Sequence, residues 1–60
     1  MTIFVVKNRF GREMHICSDK VVIFYYDEES GYTRINLTDG NHVLVSEKPG
    51  QIVKLMGHRL

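Results

Sequence analysis

Tyr32-Thr33-Arg34-Ile35-Asn36-Leu37-Thr38-Asp39-Gly40-Asn41-His42-Val43-Leu44-Val45 decides the fold of this chain. Apolar and polar residues alternate into Asp39-Gly40 and alternate out again, the period of two that sorts side chains onto the two faces of a sheet. The spacing predicts a β-hairpin, with Asp39-Gly40 as the two positive-φ residues of a tight type I′ turn. A hairpin specifies architecture and identifies no chemistry.

Upstream of the hairpin, Val21 to Asp27 reads as the most apolar strand, with Val22, Phe24 and Tyr26 on one face and Val21, Ile23 and Tyr25 on the other. Apolar residues on both faces predict a central strand. Glu28-Glu29-Ser30-Gly31 then forms a compact acidic turn. Further upstream, residues 2 to 8 make a first strand rich in Ile, Phe and Val, and Arg9-Phe10-Gly11-Arg12 turns the chain with Gly11 left-handed. The second strand is Glu13 to Cys17, with Met14 and Ile16 on one face, and Ser18-Asp19-Lys20 is a polar connector.

Downstream, Pro49 suits the first turn of a helix, and Ser46 or Glu47 is placed to cap it. Ile52, Leu55 and Met56 recur on one helical face, and Gly57 is a natural stop. Two turns of helix are marginal alone, so this segment must be stabilised by docking, and removing residues 51 to 60 should lower the melting temperature of the whole domain. Five strands with short turns predict one mainly β domain over residues 1 to 60. Its expected form is a small five-stranded antiparallel meander or SH3-like barrel with a short C-terminal helix.

Sixty residues lie near the lower size at which a chain folds without a disulfide or metal, since such a domain buries only about 60% of its unfolded surface. With 43% hydrophobic and 25% charged residues, the composition is that of a globular protein, too apolar for disorder and too charged for a membrane span. Eight Lys and Arg against seven Asp and Glu give a net charge of +1, which creates no strong field for phosphate capture. The lone Cys17 forms no intramolecular disulfide, and the N-terminal apolar run is short and lacks a basic leader, so a cytoplasmic location and no membrane insertion are expected.

Three groupings bear on chemistry. His15 and Cys17 share a strand face, with His42 and His58 elsewhere, but structural zinc motifs bring paired ligands at short recognised spacings that this chain lacks. Cys17 as a nucleophile would need a base and an orienting group in a concave pocket. Asp27-Glu28-Glu29 reads as a solvated turn, with no further oxygen ligands in view. No enzyme activity and no cofactor are expected.

Binding is better supplied. Lys7, Arg9 and Arg12 flank Phe10 at the first hairpin, the one basic cluster that encloses an aromatic residue. This tip can grip phosphates or fill a partner's pocket, unless Phe10 folds back on the sheet. Arg34 extends the positive surface, and Tyr32, with Tyr25 and Tyr26, serves either cross-strand aromatic packing or an outward anchor. An exposed edge strand would accept a strand from a partner or from a second copy, which makes a homodimer possible.

Asn8 followed by Gly11, the Ser18-Asp19-Lys20-Val21-Val22 segment, Thr33 to Gly40, Val45-Ser46-Glu47 and the closing Ile52 together resemble the short flagellar proteins of the FlbD/SwrD family. The resemblance spans roughly residues 5 to 56 and implies a motility accessory role without catalysis. The segment from Val22 to Met56 is also similar to the middle of LytTR DNA-binding domains, where a comparable hairpin precedes an amphipathic helix. The leading expectation is a non-enzymatic protein-binding accessory or regulatory module of a bacterial or phage assembly. The alternative is a small nucleic-acid-binding module that uses the basic first hairpin.

Overall fold

A computed structural model of the chain describes residues 3–57. Five antiparallel strands form two sheets, followed by one short helix. The first sheet pairs β1 (Ile3–Lys7) with β2 (Glu13–Cys17), and a single 3₁₀ turn, Ser18–Lys20, leads into the second. That sheet has the order β3 (Val21–Asp27), β4 (Tyr32–Leu37), β5 (His42–Val45), and α1 (Pro49–Leu55) follows it. The sheets do not close into a barrel. They meet at one isolated antiparallel bridge between Asn8 and Val45, where the expected first strand ends one residue early.

Alternation in β1 places Phe4 and Val6 inward opposite Ile16 and Met14, and sends Ile3, Val5 and Lys7 outward. The same rule turns Thr33 and Ile35 of β4 and Val45 of β5 inward. Phe4, Val6, Ile16, Ile35, Val45 and Ile52 form the core, so both sheets and the helix contribute to it. Each such buried side chain is worth about 1.5–3 kcal/mol of transfer free energy.

The central position expected for β3 belongs instead to β4. β3 is an edge strand, and Val22, Ile23, Tyr25 and Tyr26 are exposed along it. Its faces also differ from strict alternation. A β-bulge falls between Val21 and Ile23, so Val21 and Phe24 both pack against the core while Val22 stands out. Aromatic cross-strand pairs do not form, because Tyr25 lies opposite Arg34, Tyr26 opposite Thr33 and Tyr32 opposite Asp27.

The β4–β5 turn has a different geometry from the type I′ expected. Leu37 N–H donates to Asn41 O (2.8 Å) and Gly40 N–H to Leu37 O (3.1 Å), closing a three-residue loop. Gly40 takes a φ of 86°, and among the described residues no other type than glycine has positive φ, so Asp39 stays on the ordinary side. This is the pattern of a type I turn followed by a left-handed residue. Asp39 acts through its side chain, accepting the Asn41 backbone N–H (3.0 Å) and side-chain N–H (3.1 Å).

The helix begins at Pro49 and Gly57 follows it at a φ of 68°, as expected. The caps differ. Lys48 N–H donates to the Gln51 side-chain oxygen (2.9 Å), while Ser46 and Glu47 are engaged with β1. On α1, Ile52 is buried and Met56 half-buried against the core, but Leu55 is turned out and Val53 takes its place beside β3. Among the described residues no helix is long and apolar enough to cross a membrane.

Candidate functional site

Asn8 builds the tip of the first hairpin. Its side-chain oxygen accepts N–H bonds from Phe10 (2.9 Å) and Arg12 (3.0 Å), while Asn8 N–H donates to Arg12 O (2.9 Å) and Gly11 N–H donates to Asn8 O (3.0 Å). A short polar side chain that bonds the backbone two residues on fixes a turn without help from the core. Phe10 is thereby held away from the sheet at 73% exposure, so it does not fold back. The Arg9 guanidinium lies 5.0 Å from the Phe10 ring centroid, within cation–π range.

A polar seam just below the tip sets where the hairpin stands. Lys7 N–H donates to both oxygens of the Glu47 carboxylate (3.0 and 3.2 Å), and Ser46 donates to Lys7 O through its N–H (2.8 Å) and its hydroxyl (3.2 Å). The buried Thr33 hydroxyl donates to Glu47 O, which ties the same segment to the central strand. Neither Ser46 nor Glu47 is thus free to cap the helix.

Beyond Asn8 the hairpin parts from β5 and leaves a groove of about 300 Å³. Arg9, Phe10 and Met14 line one side of it, and His42, Val43 and Leu44 line the other. β5 is the last strand of its sheet, so the groove runs along an edge. The Arg9–Phe10 part of the expected basic cluster therefore belongs to a concave surface. Lys7 and Arg12 are exposed at the neck of the hairpin and do not line it.

Tyr32 and Arg34 lie elsewhere. Arg34 is half-buried on the outer face of the second sheet, opposite Leu44 of β5, with its Nε donating to the Asn36 side-chain oxygen (3.1 Å). Tyr32 sits two residues along the same face, opposite Asp27. Sequence reasoning missed Met14, Val43 and Leu44 as groove residues. Nothing local marks them, since their role follows from how two sheets diverge.

The remaining chemistry-bearing groups are dispersed. His15 is exposed opposite Val5, Cys17 is half-buried opposite Ile3, and His42 lines the groove. His58 lies outside the described residues. Among the described residues no group of three or more His, Cys, Asp or Glu side chains could hold a metal ion. Asp39, at the far end of β5, has its carboxyl held below the usual 3.8, first by the Asn41 backbone N–H and then by the Asn41 side chain. A second groove of about 290 Å³ lies between β3 and α1, lined by Val21, Val22, Phe24, Val53 and Met56. No family model, curated protein or solved structure matches this chain.

Proposed function

We propose that this protein is a non-enzymatic binding module of the bacterial or phage cytoplasm, an accessory or regulatory subunit that docks on a larger protein assembly. One observation carries the reading: an exposed aromatic ring, stacked by an arginine, stands over a concave groove beside an open strand edge. Aromatic and arginine side chains at a desolvated centre supply most of the energy in protein interfaces, and an open edge accepts an extended segment through main-chain hydrogen bonds. The occupant we infer is an extended protein segment with an apolar residue against Phe10 and an acidic residue near Arg9. The resemblance to the FlbD/SwrD family agrees with an accessory role of this kind, in motility.

The test places a photo-crosslinking amino acid at Phe10, and at exposed His15 on the first sheet as a control, in the intact chain within its host. A discrete protein adduct from position 10 and none from position 15 is the expected result. The same pattern from both positions, or no protein adduct from either, overturns the proposal.

A nucleic-acid reading is favoured by the Arg9–Phe10 stack with Lys7 and Arg12 exposed beside it. Light scattering with a random-sequence DNA duplex decides that point. A mass increase that disappears as salt rises marks phosphate-driven binding, whereas an unchanged mass at low salt removes it.

A further inference from the structure

The outer edge of the second sheet is unprotected in a way that natural edges seldom are. Among the described residues β3 has β4 on one side and no strand on the other, and no charged residue lies between Lys20 and Asp27. Val22, Ile23, Tyr25 and Tyr26 are 65%, 54%, 44% and 39% exposed. Edge strands that stay single are blunted by lysines, prolines, inward charges or bulges. The bulge at Val22 and Lys48, whose Nζ lies 4.3 Å from the Tyr26 ring centroid, cover the two ends of the strand, and Ile23 to Tyr25 between them stay exposed or half-buried in regular register. The apolar groove between β3 and α1 is lined by this same edge strand, and Leu55 is exposed nearby on the helix at 42%.

We propose that a second copy of this chain covers the edge, with the two β3 strands antiparallel about a two-fold axis near Phe24 and the two sheets joined into one of six strands. Two properties of the strand select its own copy as occupant. A two-fold axis normal to the sheet keeps inner faces together, so Phe24 meets Phe24 beside the β3–α1 grooves, while Ile23 meets Tyr25 on the outer face. Charge selects the direction. Lys20 precedes the strand and Asp27-Glu28-Glu29 follow it, so antiparallel pairing sets each Lys20 end against the other copy's acidic end. Parallel pairing would set acid against acid.

Sedimentation of the full chain over a wide concentration range tests this, with Ile23→Lys and Val5→Lys as variants on exposed positions of the two sheets. The expected result is a mass double the 7.0 kDa of the chain, lost in Ile23→Lys with an unchanged circular dichroism spectrum and retained in Val5→Lys. Amide exchange in the unaltered protein gives a second readout, should a variant fail to fold. Amides of β3 that face away from β4 should slow as concentration rises. A single-chain mass at every concentration, open-ended growth beyond two copies, or a dimer that survives Ile23→Lys overturns the proposal.

Discussion

The first hairpin meets β5 in two different ways within a few residues. Below Asn8 the two are sewn together by the Glu47 carboxylate, Ser46 and the Asn8–Val45 bridge, whereas above Asn8 they separate into an open groove. The closed part is polar and holds backbone groups. The open part presents an aromatic ring and apolar walls. A binding surface needs rigid support without being filled by its own support, and the change at Asn8 provides both.

Substitutions that separate these two behaviours rank by how much of the closed part they remove. Ile52→Ala empties a fully buried site in the core and should destabilise by about 2–5 kcal/mol in urea unfolding. In a domain of this size each kilocalorie moves the melting temperature by roughly 4–8 °C, so such a loss leaves little folded protein at physiological temperature. Less than about 1 kcal/mol would show that α1 is not part of the core. Glu47→Ala removes the charged acceptor of the exposed Lys7 N–H, which water can replace, and should cost about 0.5–1.5 kcal/mol in the same assay. A neutral result would mean that the seam is ornamental to stability.

On the open side the effects should invert. Phe10→Ala should change stability by no more than about 0.5 kcal/mol, while weakening partner capture by the about 2 kcal/mol or more typical of an interface anchor. A large loss of stability would place Phe10 in the core and dissolve the contrast. The smallest effect belongs to the distant β4–β5 turn. Because the Asp39 pKa is lowered on folding, its contribution is complete above its usual 3.8 and is lost as pH falls through the lower folded value. Asp39→Asn removes that contribution, so it should lower stability slightly at neutral pH, converge with the unaltered protein in acid and thereby flatten the acid limb, as read from urea midpoints across pH.

Local rules made β2, β3 and the start of α1 legible, because alternation, turn glycines and Pro49 act within a few residues of themselves. Gly11 is a clear case, left-handed at a φ of 79° as its turn requires. What escaped was set by distance. β3 is the most apolar strand and yet lies at the edge, since its position depends on which strand β4 finds on its other side. Glu47 reads as a helix cap until β1 is known to pass within reach of it. The candidate site divides likewise: Arg9 and Phe10 were visible as a basic, aromatic tip, but the opposite wall from His42 to Leu44 exists only because two sheets diverge.

The tie between Lys7 and Glu47 spans 40 positions in the chain, farther than the pairing within any of the hairpins. Contacts between distant residues carry a large loop-closure entropy and form late, after the local hairpins have reduced the chain's freedom. The seam should therefore close late in folding and open early in unfolding. Glu47→Ala should accelerate unfolding and leave the refolding rate almost untouched in stopped-flow measurements, whereas slower refolding would place the seam in the folding nucleus.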